Sequence, residues 1–270
     1  MARDAPIGVL DSGFGGLSVL RSIRRLLPAE DLLYHADHAF LPWGERGPQE
    51  VRARAAHLAD ALVAAGAKAI VLACNTATAA AADALRASLA VPVIAMEPAV
   101  KPAAAATRSG VIGVLGTGGT LASARFAGLL ERYAGDLVIV ARPCPELVAA
   151  AESEVRPEVR RALVAAAVEP LVAQGADVLV LGCTHFAFLR PEIEAVAGPG
   201  VTVIDTGPAV AREVARRLGA DRRLRAHDRA GNETFWTTGN PDALAPTLHR
   251  LWGPGTLYGV PVEPGARVAD

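Results

Sequence analysis

Only two lysines, Lys68 and Lys101, occur in the 270 residues. Chemistry that holds a substrate or a pyridoxal group as a Schiff base therefore has few candidate amines. Lys68 reads as the start of a strand and Lys101 as a position just past a chain crossover, which leaves neither at a strand end where ligands collect. Cysteine is almost as scarce: Cys74, Cys144 and Cys183 make an odd number, and no Cys-x-x-Cys spacing or nearby histidine cluster accompanies them. That pattern excludes a disulfide framework and gives no metal site. An excess of either charge is also missing, since 27 Lys and Arg face 28 Asp and Glu. No basic field exists to attract nucleic acid or an anionic membrane surface. No window reaches 18 uninterrupted apolar residues, and the first six residues run into a strand-like segment without the apolar stretch of a signal peptide. The expectation is a cytoplasmic protein with no membrane partner.

What is present is a repeat. Leu62 to Ala67, then Lys68 to Thr76, is echoed by Leu171 to Ala176, then Asp177 to His185. Each copy ends in cysteine plus small polar residues, Cys74-Asn75-Thr76 and Cys183-Thr184-His185, at an offset of 109 (183 − 74). Upstream, Ile7 to Gly13 matches Ile112 to Gly118 at an offset of 105 (112 − 7). A duplication of this kind predicts two related halves and a pseudo-two-fold axis that turns two equivalent strand ends, and two thiols, toward one cleft. With 51% hydrophobic and 20% charged residues, the chain has the makeup of a globular protein long enough for two cores.

Short apolar runs ending in Gly or a small polar residue alternate with Ala-, Leu- and Arg-rich stretches of helical period. This is the habit of βα units on parallel sheets. Strands are expected near 6–10, 31–35, 68–73, 92–95, 111–115, 136–141, 177–182 and 201–204. Helices are expected over 16–27, 49–65, 76–89, 121–133, 158–174 and 207–218, among others. Proline at 92, 98 and 102 makes Glu97-Pro98 a crossover, and a return near Asp205-Thr206-Gly207-Pro208 would send the last segment back. The fold class is then α/β: two pseudo-symmetric domains with mainly parallel sheets, 1–97 with 207–270 and 98–206, and an active site in the cleft between them.

Ligands of open α/β sheets sit beyond the carboxyl ends of the strands. Asp11-Ser12, Cys74-Asn75-Thr76, Thr117 and Cys183-Thr184-His185 all fall there. Gly13, Gly15 and Gly16 allow a tight turn and close approach of a ligand, and free N–H groups at helix starts would receive a small anion. The cluster fits neither the Walker pattern nor Gly-x-Gly-x-x-Gly. A lone cysteine is usually a small buried hydrophobe, and Cys144 reads so. Cys74 and Cys183 differ because each follows an apolar strand and precedes a helix start, a place that lowers a thiol pKa from about 8.5 toward neutrality. One thiol and one thiolate on two sides of a carbon form an acid and a base. His185 stands where it could assist Cys183. Asp11 and Glu152 are open to solvated or helix-capping roles on spacing alone. A two-domain protein that holds a small acid without chemistry is the alternative of a different class, but it has no reason to place a thiol at each repeated strand end.

In these residues the chain resembles the cofactor-independent racemases of the aspartate/glutamate racemase superfamily. The signatures are Asp11-Ser12-Gly13-Phe14-Gly15-Gly16, Ala73-Cys74-Asn75-Thr76-Ala77, Gly182-Cys183-Thr184-His185 and Phe235-Trp236-Thr237-Thr238-Gly239. As a set they point to the glutamate branch. The resemblance implies reversible conversion of L- and D-glutamate without a cofactor, supply of D-glutamate for peptidoglycan, and a homodimer. It further implies Cys74 and Cys183 as the two acid/bases, Asp11 assisting Cys74, His185 assisting Cys183, and Glu152 as a further acidic residue near the second thiol. Asp11, Ser12, Trp43, Gly44, Asn75, Thr76, Thr184 and His185 would line the substrate site, with Thr117 or Thr120 close by. A sibling acting on aspartate or a hydantoin would share both cysteines. Two departures stand out: Trp43 and Phe186-Ala187 replace the family's usual Tyr and Tyr-Pro.

Overall fold

The computed structural model describes residues 3–226 and 229–262. Two parallel sheets carry it. Strands β1 (Ile7–Asp11), β2 (Leu32–Ala36), β3 (Ala69–Leu72) and β4 (Val93–Ala95) belong to the first, β5 (Val111–Gly116), β6 (Val138–Pro143), β7 (Val178–Leu181) and β8 (Thr202–Ile204) to the second. Strands β9 (Glu233–Thr237) and β10 (Leu257–Gly259) extend the first sheet beside β2. The orders are β10-β9-β2-β1-β3-β4 and β6-β5-β7-β8. Stripped of β9 and β10, the first order β2-β1-β3-β4 repeats as β6-β5-β7-β8, which is the duplication seen in three dimensions.

The helices are α1 (Leu17–Leu26), α2 (Pro48–Ala64), α3 (Asn75–Ser88), α4 (Val100–Ala106), α5 (Gly118–Leu121), α6 (Ala124–Tyr133), α7 (Glu146–Glu152), α8 (Pro157–Ala173), α9 (Arg190–Ala197), α10 (Gly207–Ala220) and α11 (Pro241–Leu251). Helices α2 and α8 both open on proline, whose missing N–H costs nothing in a first turn. They also end alike: Gly66 and Gly175 both have φ +89°, and the Ala67 and Ala176 amides donate back to Leu62 and Leu171 carbonyls at 3.0 and 3.1 Å. A side chain there would be strained, so glycine ends the helix and turns the chain into the cysteine-bearing strand.

Each sheet is covered on both faces, which explains strands such as β3 and β7 in which every residue is buried. Ile7, Val9 and Tyr34 pack with α1 and α10 on one face of the first sheet, while Leu10, Ile70 and Leu72 pack with α2 and α3 on the other. Leu115, Leu179 and Leu181 face α7, α8 and α9 in the second, opposite Ile112, Val114 and Val180 with α4 and α6. Each fully buried Leu, Ile or Val contributes about 2 kcal/mol. Met96 lies in the first sheet's core and Ala99 in the second's, so the chain changes cores at Glu97-Pro98; Val210 of α10 is back in the first.

Eight expected strands are present, and two unexpected ones, β9 and β10, lie in the C-terminal stretch. Their pattern hid them: β9 is only partly buried and β10 is three residues long with Tyr258 and Gly259 exposed. The Arg-rich composition of 221–232 reads as an exposed loop, yet the segment contains the buried Arg225, paired with Asp31 at 2.7 Å; its residues 227 and 228 lie outside the described ones. Lys68 is fully buried in an ion pair with Glu30 and donates to the Arg3 carbonyl at 2.6 Å, at the end of β3 opposite Cys74. No helix among the described residues is long and apolar enough to cross a membrane.

Candidate active site

The carboxyl ends of β1, β3, β5 and β7 converge on one narrow cavity of about 20 Å³, room for about a single water. Asp11, Ser12, Cys74, Asn75 and Thr76 come to it from the first sheet's strand ends, and Trp43 and Gly44 from the short 3₁₀ turn after Pro42. Thr117, Thr120, Cys183, Thr184 and His185 come from the second sheet, with Pro42, Val148 and Gly182 completing the wall. Of the catalytic and substrate-site residues that the resemblance implies, Glu152 alone does not line it, and Gly13, Gly15 and Gly16 are likewise absent from the wall.

The two thiols have different surroundings. Cys74 caps α3, its Sγ accepting the Ala77 N–H at 3.4 Å. Cys183 precedes not an α-helix but a 3₁₀ segment, Thr184–Leu189, and has no such cap. The expectation of two equivalent helix starts fails here. Pro191 opens α9 and cannot extend the hydrogen-bond ladder backward, so the six intervening residues wind as a 3₁₀ turn that brings His185 under Cys183. The Sγ to Nδ1 distance is 3.6 Å.

Neither does the helix start pull the Cys74 thiol down. Burial pushes it well above the ordinary thiol value, the neighbouring Asp11 charge adds to this, and the single Ala77 N–H does not compensate. Burial raises the Asp11 carboxyl as well, against the His185 charge and the N–H groups of Ser12 (2.7 Å) and Gly16 (2.5 Å). On the other side, burial would lower His185, but hydrogen bonding to Cys183 and Glu152 outweighs it and holds the imidazole well above its ordinary value. Burial disfavours the Glu152 carboxylate, yet the contacts with His185 and His38 hold it well below the usual range. The cavity therefore has a neutral thiol beside a carboxyl group at one end and Cys183 beside an imidazolium at the other.

Glu152 acts from behind. Its Oε1 lies 2.7 Å from His185 Nε2 and accepts the Phe14 N–H at 2.5 Å. The glycine loop was expected to offer its amides to a ligand; instead Phe14 donates to Glu152 and Gly16 to Asp11. Gly13 has no positive φ, and its glycine identity follows from crowding: a Cβ there would come within 2.2 Å of Glu152 Oε1. Thr76, Thr117 and Thr120 join their hydroxyls across the cleft at 3.0 to 3.2 Å. Asn75 is 4% exposed, and neither polar atom of its side chain has a partner among the described residues. Trp43 donates its indole N–H to Asp37 at 3.1 Å, and Arg54 holds that carboxylate through two bonds at 2.8 and 2.9 Å. Phe186 is fully buried in the second core. The sequence analysis did not pick out Asp37 and His38, although they follow β2 as Ser12 and Gly13 follow β1; the same strand-end rule identifies them.

Two parallel-sheet units that direct one thiol each into a common cavity make the frame of an α/β isomerase. The chain belongs to the Asp/Glu/hydantoin racemase family, whose sequence model matches residues 7–214. It is 54% identical to a glutamate racemase of Pseudomonas entomophila over 252 residues, 93% of this chain and 95% of the relative. Among solved structures, a glutamate racemase isoform from Bacillus anthracis superimposes with a TM-score of 0.85 at 33% identity, covering 97% of this chain and 98% of that one. The Escherichia coli glutamate racemase solved with L-glutamate and an activator gives a TM-score of 0.81 at 30% identity, covering 95% and 98%. Membership of this family sets aside the non-catalytic binding protein.

Proposed function

We propose that the protein interconverts L- and D-glutamate by a two-thiol, cofactor-free proton transfer at Cα, supplying D-glutamate for peptidoglycan precursors. The observation that carries this reading is the pairing of Cys74 and Cys183 in one buried cavity with opposite supporting charges, Asp11 beside the first and the His185 imidazolium beside the second. Groups driven apart in proton affinity serve as acid and base. In the free protein Cys74 rests as the thiol and donates; Cys183, whose proton His185 can hold, removes the Cα proton. In the reverse direction the roles exchange.

The unpartnered amide of Asn75 and the first-turn N–H groups of α3 supply donors for the substrate carboxylates. Removing a proton beside a carboxylate requires such donors in a dry site, where they act most strongly on the developing carbanion. Trp43 does not need the phenolic oxygen that a tyrosine would bring, because its indole is engaged with Asp37 and Gly44 beside it faces the cavity with backbone alone. The substrate assigned here is the one named for relatives at 54% and 52% identity. The same reading includes residues 1–97 with 207–270 and 98–206 as two domains, a homodimer, and a cytoplasmic location.

The test is purified protein with L-glutamate in D2O and no added cofactor, following D-glutamate by chiral separation and Cα deuterium by mass spectrometry. Deuterated D-glutamate is the expected product. Folded protein that yields neither isomer nor deuterium would overturn the assignment to glutamate, and aspartate would be assayed next.

A further inference from the structure

We infer that His38 is a positioning residue for the Cys183 half of the reaction, acting through Glu152 and His185; this rests on the two-thiol reading above. His38 opens the 3₁₀ turn His38–Phe40 that follows β2, in the first unit, while Glu152 ends α7 in the second. Its side chain is 5% exposed. Nε2 lies 3.3 Å from Glu152 Oε2, Nδ1 lies 2.9 Å from Thr237 Oγ1, and the ring meets Phe14 edge-on at 4.3 Å between centroids.

Two contacts fix the ring. Thr237 Oγ1, which accepts the Gly239 N–H at 3.0 Å, lies against Nδ1, and Nε2 is left facing Glu152. Glu152 Oε1 accepts the Phe14 N–H and meets His185 Nε2, while Oε2 lies 3.3 Å from His38 Nε2, a charge contact rather than an aligned hydrogen bond. The backbone beside it is held from the same unit as His38, by Thr247 (3.3 Å) and Arg250, both of α11. The late Thr237-Thr238-Gly239 signature thus acquires a purpose: it orients the histidine that orients the carboxylate.

Removing His38 leaves the buried Glu152 Oε2 without the imidazole nitrogen that faces it at 3.3 Å. The carboxylate regains solvation by turning, which takes Oε1 from His185 Nε2 and frees the imidazole from its position under Cys183. A base whose orienting group is lost acts more slowly without binding substrate less tightly. The contact also spans the two units, so the histidine completes its array only when they are closed on each other.

Glutamine places its amide nitrogen where histidine has Nε2, and asparagine where it has Nδ1. This distinguishes the Glu152 contact from the Thr237 contact with little change in bulk. Three variants, His38→Gln, His38→Asn and His38→Leu, are assayed for racemisation and for the rate at which iodoacetamide labels Cys183 and Cys74, read by peptide mass spectrometry. His38→Gln should keep kcat within about threefold of the parent, and the other two should lose about tenfold or more with KM within about twofold. Labelling of Cys183 at neutral pH should slow in His38→Asn and His38→Leu while that of Cys74 stays unchanged. Equal kcat for all three variants would overturn the inference, as would a rise in KM alone or an equal change at both thiols, which marks general loosening. If the parent does not racemise glutamate, the reading under Proposed function fails, and the selective change at Cys183 still decides the role of His38.

Discussion

Cysteine suits this site because its proton affinity can be set by what surrounds it, and the two copies here are surrounded by opposite charges. A serine in either position holds its proton too tightly to serve as a base. Cys74→Ser and Cys183→Ser should each reduce racemisation by about a hundredfold or more, a barrier increase of about 2.7 kcal/mol, as followed by polarimetry. The equilibrium constant between enantiomers is unity, so any variant must lose kcat/KM equally in both directions. Asymmetry can appear only in kcat and KM separately. Asp11→Asn and His185→Asn should therefore skew the kcat ratio of the two directions in opposite senses, with kcat/KM ratios unchanged. Equal kcat losses in both directions for both variants would return the two residues to a purely structural role.

Strand β2 carries a liability as well as two site residues at its end. His35 is buried in its middle, edge-on to Trp236 at 5.7 Å, and burial pushes its pKa from 6.5 down to about 4. The unfolded chain takes up a proton near pH 6.5, before the folded one does, so stability is full above 6.5 and is lost as pH falls toward 4. At pH 5 the loss amounts to about 2 kcal/mol. His35→Leu should remove that slope, which urea unfolding at pH 7 and pH 5 would register as a smaller difference in midpoint. The β1–α1 loop is constrained differently. Gly13→Ala should preserve circular dichroism yet reduce kcat about tenfold or more, because the added methyl overlaps Glu152 Oε1 and displaces it from His185. A variant with kcat within twofold of the parent would show that the loop yields instead.

At the scale of the molecule, the cavity is too small for an amino acid: about 20 Å³ holds about one water, and glutamate has ten heavy atoms. Admission requires the two units to part along the contacts that close them, the Thr76–Thr117–Thr120 hydroxyls, Thr184 on Asp11 at 3.4 Å, and Glu152 on Phe14 and His38. Opening of this kind commonly limits turnover. The kcat should fall in proportion to relative viscosity in sucrose, and a polymer that raises only bulk viscosity should have no effect. A kcat independent of sucrose would place the slow step in proton transfer itself.

The positions of eight strands, the duplication and most of the cavity wall were legible in the chain because they rest on local rules. Apolar runs ending in small polar residues mark buried parallel strands, the 109-residue echo marks equivalent ends, and ligands gather at those ends. These rules identified Cys74, Cys183, Asp11 and Asn75 without coordinates. Local rules also implied that the two thiols would be alike, and there they failed. The difference between Cys74 and Cys183 comes from groups far away in sequence: His38 and Thr237 from the first unit, Glu152 from the second, and the glycine loop between them. Proton affinity depends on distance through space and on exclusion of water, and neither has a period along the chain. The sequence by itself determined where the two thiols stand; only the tertiary structure decided how differently they are surrounded, because burial and the charges that oppose it come from both units at once.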